Sequence, residues 1–191
     1  MYKEINGDLI ELAKQGTFDV IAHGCNCFCT MGAGIAPQMA RAFGADRFPL
    51  ELTEHMVIDQ DDQEIYYSTG YRGDINKLGQ IDYQKVAVNL HTGRVLVGYS
   101  VPKPEFIIEL TVVNAYTQYH YGRNHKDGVH TPIDYEALTL CMRKMNKIFK
   151  DQHIGLPKIG AGLAGGDWNR IKKIIQDEFT DCDVTVVVFD K

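Results

Sequence analysis

Phe18-Asp19-Val20-Ile21-Ala22-His23-Gly24-Cys25-Asn26-Cys27-Phe28-Cys29-Thr30-Met31-Gly32-Ala33-Gly34-Ile35-Ala36 runs from an apolar segment through a glycine loop into a helical pattern. Its opening, Phe18–His23, is a continuous apolar run with β-branched residues, the composition of a strand covered on both faces. Beyond the loop, Ile35, Met39, Ala42 and Phe43 recur at helical spacing over Ile35–Phe43. The same order returns near the other end of the chain. There Ile154–Leu156 is a short strand, Lys158–Trp168 a second glycine loop and Trp168–Phe179 an amphipathic helix.

The remaining segments fit the same frame. Tyr2–Asn6 alternates like a strand and stops at Gly7, with a short helix over Leu9–Lys14. Ile107–Ala115 and Val184–Phe189 are further near-continuous apolar strands. Between them Asp134–Lys150 sets Leu138, Cys141, Met142, Met145 and Ile148 on one helical face, with Asp134 as its cap. Apolar strands separated by helices predict an α/β fold with helices on both faces of the sheet, in three α/β/α layers. Phe18–His23, Ile107–Ala115 and Val184–Phe189 are its expected central, buried strands. The stretch from Gln63 to Val101 differs, being rich in Tyr, Gly and polar residues. Alternation at Leu78–Tyr83 and Lys85–Leu90, then Thr92-Gly93 before Arg94–Tyr99, predicts an inserted β-hairpin with positive φ at Gly93. The insert covers about residues 60–103 of an otherwise single domain, and acidic Asp59–Glu64 is expected as a solvated loop.

With 191 residues, 45% apolar and 24% charged, the chain has the make-up of one ordinary globular domain. Twenty Lys and Arg against 25 Asp and Glu give a net charge of −5, which argues against wrapping a nucleic acid. No apolar run is long enough for a membrane helix, and the acidic residues of Met1–Ile10 do not suit a signal peptide. The five cysteines are an odd number, three of them crowded at Cys25, Cys27 and Cys29. That is no disulfide framework and fits a reducing cytoplasm. The C-x-C-x-C spacing is also too tight for an ordinary zinc site, so no metal or other cofactor is expected. A cytoplasmic monomer acting on a small molecule is the resulting expectation.

Each glycine loop opens a helix, where free N–H groups and the positive end of the helix dipole suit phosphate. Neither loop is a Walker motif, and the first lacks the third glycine of a dinucleotide fingerprint. Two such loops from opposite halves of the chain suggest a clamp on one diphosphate. His23 ends its strand at the carboxyl edge where α/β folds bind ligands, and is either catalytic or a packed core histidine. Asp167 starts the last helix, where capping and catalysis are compatible roles. Asn26 is either a ligand contact or a loop residue satisfying its own backbone.

The two loops, taken with Gly7-Asp8-Leu9, resemble the macro domain family. The His23-Gly24-Cys25-Asn26-Cys27 run ahead of Met31–Ala36 is similar to its ADP-ribose-1″-phosphate phosphatase branch, known from yeast and phage-type members. Val113–Gly122 and Gly165-Gly166-Asp167-Trp168 carry the same likeness. The resemblance implies a mixed central sheet and an ADP-ribose derivative as ligand. It assigns Asp8 and Leu9 to the adenine end, and the amides of Gly32, Ala33, Gly34 and Ile35 to the diphosphate and distal ribose. Gly160, Ala161, Gly162 and Leu163 would close from the other side, Asn26 would touch the distal ribose, and Tyr116 is counted with the ligand-binding residues. His23 and Asp167 would be the catalytic pair for the terminal phosphate, with Asn26, Tyr116 and His120 next in line. A related branch removes ADP-ribose from protein carboxylates with a lysine where Gln118 stands here, and an aspartate where Ala164 stands. Gln118 cannot form a Schiff base, so a lysyl intermediate is disfavoured. The expected function is hydrolysis of ADP-ribose-1″-phosphate. The alternatives are an ADP-ribose reader without chemistry, or a hydrolase of ADP-ribosylated protein.

Overall fold

A computed structural model describes residues 1–47, 54–58, 64–68, 70–97, 105–121 and 131–189. In chain order the elements are β1 (Tyr2–Asn6), α1 (Leu9–Lys14), β2 (Val20–Asn26), α2 (Ala36–Phe43), β3 (Glu54–Ile58) and β4 (Glu64–Ser68). They continue as β5 (Ile81–Asn89), β6 (Val95–Val97), β7 (Ile107–Gln118), α3 (Tyr135–Ile148), β8 (His153–Leu156), α4 (Trp168–Glu178) and β9 (Asp183–Val188). A short 3₁₀ turn spans Ile75–Lys77.

Seven strands form one mixed sheet in the order β1-β9-β8-β2-β7-β5-β6. The first five in that order pair in parallel, while β5 runs antiparallel to both β7 and β6. Parallel neighbours need crossovers, and helices supply them over both faces. On one face Leu9, Ile10 and Ala13 of α1 and Met39 and Phe43 of α2 cover Ile21, Leu110 and Val112. On the other, α3 and α4 bring Leu138, Met142, Ile171 and Ile175 onto Val20, Ala22, Val113, Ile154 and Val186. Adjacent strand residues thus point to opposite layers, which is why these strands read as unbroken apolar runs.

The sheet differs from the sequence expectation at its margins. β2 runs on to Asn26 and β7 to Gln118, because the two strands keep pairing past their apolar parts. The expected hairpin forms as β5 and β6, and Gly93 at its turn has φ of 63°. It is the edge of the main sheet and not an addition to it, since β5 pairs with β7 from Ile81 to Asn89. β2 and β7 are central, as expected, while β9 lies one strand in from the β1 edge. Phe189, expected within the last strand, follows it and is 63% exposed. A second antiparallel hairpin, β3 with β4, was not legible in the sequence. Of the acidic stretch expected as a loop, only Glu64 is among the described residues, and it begins β4.

Candidate functional site

A cleft of about 560 Å³ opens at the carboxyl ends of β2, β7 and β8, walled by the two glycine loops. Open α/β sheets place ligands at this edge. The first wall runs Thr30 to Ala36 and the second Pro157 to Ala164, with Gly24, Asn26, Thr117 and Gln118 between them.

The first loop is held by Asn26. Its Nδ2 donates to the Thr30 carbonyl at 2.9 Å and its Oδ1 accepts from the Thr30 N–H at 3.2 Å. Asn26 therefore serves the loop backbone with both ends of its amide. Beyond it, Gly34 takes a φ of 65°, which side-chain-bearing residues rarely adopt. The chain then enters α2 with no side-chain cap: Ile35 occupies the N-cap position. The other helices are each capped by an aspartate: Asp8 on α1, Asp134 on α3 and Asp167 on α4. The helix whose first residues line the cleft is the one left open. Among the described residues, the N–H groups of Gly32, Ala33, Gly34 and Ile35 find no acceptor.

The second loop is built by glycines for a different reason. Gly160 has φ of 75°, and a Cβ there would sit 2.5 Å from Ile133 Cδ1. Its carbonyl accepts from the Gly166 N–H at 2.9 Å, folding the loop back on itself. The N–H groups of Gly162 and Leu163 are left without acceptors among the described residues. Leu163, 74% exposed, leans across the cleft so that its Cδ1 would lie 3.8 Å from a Cβ on Gly34. Both loops that wall the cleft thus carry N–H groups without an acceptor among the described residues, an arrangement suited to an anion.

Of the residues singled out in the sequence, Asn26, Gly32, Ala33, Gly34, Ile35, Gly160, Gly162 and Leu163 line the cleft. Ala161 sits in the second loop but is not part of the lining. His23 is a correction. It is fully buried, and its Nε2 lies 2.7 Å from Asn114 Oδ1. Asn114 Nδ2 donates to the Ala45 carbonyl, which orients the amide so that Oδ1 accepts from His23 Nε2–H. Burial pushes the imidazole pKa down to about 4, so it is a neutral core histidine. Asp167 also stays out of the cleft: its Oδ1 accepts from the Asn169 N–H at 2.8 Å, and its own N–H donates to Tyr135 Oη. The expected catalytic pair therefore does not meet on a phosphate in this cleft. His120 packs edge-on against Phe28, also outside the lining.

Tyr116 is a second correction. It is buried, donating to Asp82 Oδ2 at 2.5 Å, and the same oxygen accepts from Lys77 Nζ at 3.0 Å. This buried triad ties the Ile75–Lys77 turn to the sheet. Cys25, Cys27 and Cys29 pack around Tyr116. Burial raises all three thiols, Cys27 to about 12, so none is a ready nucleophile at neutral pH. Among the described residues no group of three His, Cys, Asp or Glu side chains is placed to hold a metal.

Asp8 lies in a separate depression of about 340 Å³ with Lys14, Gln38 and Arg41. Its Oδ1 caps α1 through the Ile10 and Glu11 N–H groups at 2.8 and 3.2 Å. Leu9 is buried beneath, in the α1–α2 core. Thr117 and Lys158, both in the lining, were missed in the sequence. Lys158 was legible by its place just ahead of the second loop, whereas Thr117 owes its position to strand pairing.

The sheet order, the two helical layers and the glycine-walled cleft define the macrodomain fold. The macrodomain of Thermus aquaticus DarG superposes with a TM-score of 0.53 at 18% identity, over 100% of this chain and 99% of that one. A Bacteroides thetaiotaomicron protein of unknown function gives 0.59 at 21% identity, over 98% of both chains. Thermosipho africanus DarTG in complex with ADP-ribose gives 0.57 at 12% identity, over 98% of this chain and 41% of that one. In sequence, the chain is 28% identical over 189 residues to an uncharacterized 17.5 kDa protein of the tk-vs intergenic region of Enterobacteria phage T4. That match covers 97% of this chain and 94% of the phage protein. No protein-family model matches the chain. No helix among the described residues is long and apolar enough to cross a membrane.

Proposed function

We propose that the cleft binds ADP-ribose or a close derivative, with the diphosphate between the two glycine loops. The observation that carries this reading is that both loops walling the cleft hold N–H groups without an acceptor among the described residues, one set at the uncapped start of α2. Backbone donors and a helix dipole together stabilise a diphosphate without a dedicated cation. α2 links the cleft to the Asp8 depression: Ile35 and Ala36 line the first, Gln38 and Arg41 the second. An extended ligand lying along this helix would put its adenine near Asp8. Asp8 Oδ2, which takes no part in the cap, is then free for the exocyclic amine. The bound ADP-ribose in the DarTG relative supports the same ligand class. Calorimetric titration with ADP-ribose tests the proposal, using Gly32→Val as the control. A Cβ at Gly32 meets nothing within 4 Å, so the variant should fold while its side chain fills the path of the ligand. Affinity falling at least tenfold is expected, and equal binding by both proteins refutes the placement.

Hydrolysis of ADP-ribose-1″-phosphate is the second reading, favoured by Lys158 among the cleft residues. The Lys158 ammonium lies 5.4 Å from the centre of the Trp168 ring, and turned into the cleft it would stabilise charge on a departing phosphate. With His23 and Asp167 outside the cleft, such a reaction rests on Lys158 and polar groups of the floor. A phosphate-release assay run beside the titration separates the two. Binding with no release leaves an ADP-ribose reader or a hydrolase of ADP-ribosylated protein.

A further inference from the structure

The first glycine loop springs from one tight turn at the end of β2. Cys25 lies opposite Tyr116 and Asn26 opposite Gln118, so Thr117 is the extra residue of a β-bulge. Just past it, the Cys27 N–H is shared between the Gln118 and Tyr119 carbonyls at 3.1 and 3.0 Å. The chain then turns back at once. The Cys29 N–H donates to the Asn26 carbonyl at 2.9 Å, and Cys29 takes a φ of 55°, which few residues with a side chain adopt. Such a conformation persists only where its surroundings hold it. On the cleft side the Asn26 amide holds Thr30. Both outward carbonyls of the turn are claimed by residues 72 and 73, which lie outside the cleft lining. The Gly73 N–H donates to the Cys27 carbonyl at 2.8 Å, and Arg72 Nε donates to the Phe28 carbonyl at 2.6 Å. Tyr119 Oη donates to the Gly73 carbonyl at 3.2 Å, and a Cβ on Gly73 would sit 3.4 Å from the Phe28 ring. This clasp is anchored in turn by Lys77 Nζ, bonded to the Gly70 carbonyl at 3.1 Å and to Asp82 at 3.0 Å.

We propose that Arg72 is a positioning residue for the ligand: by holding the Phe28 carbonyl it fixes the turn from which the first loop's N–H groups project. This rests on the ADP-ribose reading. Backbone donors bind a diphosphate tightly when they are already placed before it arrives. If the loop holds that placement only part of the time, apparent affinity falls by the same fraction. The bond from a guanidinium is charge-assisted and so stronger than an ordinary one between neutral groups. Arg72 is also exposed, so replacing it opens no cavity in the core.

Two substitutions separate the bond from the charge. Arg72→Gln carries an N–H donor at the same place along the side chain as Arg Nε but has no charge, and Arg72→Met has neither. ADP-ribose affinity by calorimetry, melting temperature, and hydrogen exchange of the Cys29 and Thr30 amides without ligand are measured for both variants and the parent. Arg72→Met should bind ADP-ribose about fivefold more weakly, the scale of one net hydrogen bond, and exchange both amides faster by a similar factor. It should melt no more than a few degrees lower, and so stay folded during the titration. Arg72→Gln should match the parent in both affinity and exchange. Parent-like affinity in Arg72→Met overturns the assignment, because the loop then keeps its place without the bond. Weaker affinity with unchanged exchange, or a loss in Arg72→Gln as large as in Arg72→Met, overturns it in favour of a direct charge contact with the ligand. A parent protein that binds no ADP-ribose overturns the underlying ligand reading instead, and this assignment with it.

Discussion

Replacing His23 by Gln should remove most of one pH-dependent term from folding stability. The ring is fully buried, and burial pushes its pKa from 6.5 down to about 4, against a smaller opposing pull from the Asn114 hydrogen bond. At pH 7 the ring is neutral in the folded chain and mostly neutral in the unfolded one, so it adds little pH dependence there. Between pH 6.5 and 4 the unfolded chain takes up a proton that the folded one refuses, and stability therefore falls as pH falls. At 1.36 kcal/mol per unit, the loss by pH 4 is on the order of 3 kcal/mol, and it stops growing below the folded pKa. Gln can still donate to Asn114 Oδ1 but has no proton to gain. Urea midpoints for both proteins at pH 7, 5.5 and 4 measure the difference. The parent should lose on the order of 3 kcal/mol more than the variant over that range. Parallel curves would refute the reasoning: His23 would then titrate normally in the folded protein and be open to solvent and substrate.

Lys77→Met should cost about 3–5 kcal/mol in a urea titration, since it takes the cation from the buried Asp82 carboxylate that also accepts from Tyr116. A cost below about 1 kcal/mol would mean that Asp82 is protonated or hydrated in the parent. Asp167→Ala should lower stability by about 1 kcal/mol through the lost α4 cap, with ADP-ribose affinity unchanged in calorimetry. A large loss of affinity would return Asp167 to the ligand site.

The fold was legible because its core strands are covered on both faces: the apolar runs at Val20–Ala22, Leu110–Ala115 and Val184–Val187 carry no alternation to misread. Their far ends were not, because Gly24, Asn26 and Thr117 are polar or small and belong to β2 and β7 through mutual pairing alone. The glycine loops announced the cleft, since positive φ at Gly34 and Gly160 asks for glycine whatever the ligand. Chain position could not say which way His23 faces. The sequence put it beside the loop, but its partner turned out to be Asn114, directly across the β2–β7 ladder. Thr117 was hidden for the same reason, because a bulge exists only between two strands and neither segment alone encodes it.

α2 ends in order, with Gly44 in the left-handed conformation returning its N–H to Ala40, but begins without a cap. A ligand seated there would supply acceptors that a capping side chain supplies elsewhere, and so complete a piece of secondary structure. Occupancy and folding then become one linked equilibrium: each tenfold rise in ligand above its dissociation constant adds about 1.4 kcal/mol to global stability. The amides from Gly32 to Ile35 become its reporters, exchanging hydrogen freely in the ligand-free protein and slowing only as the site fills.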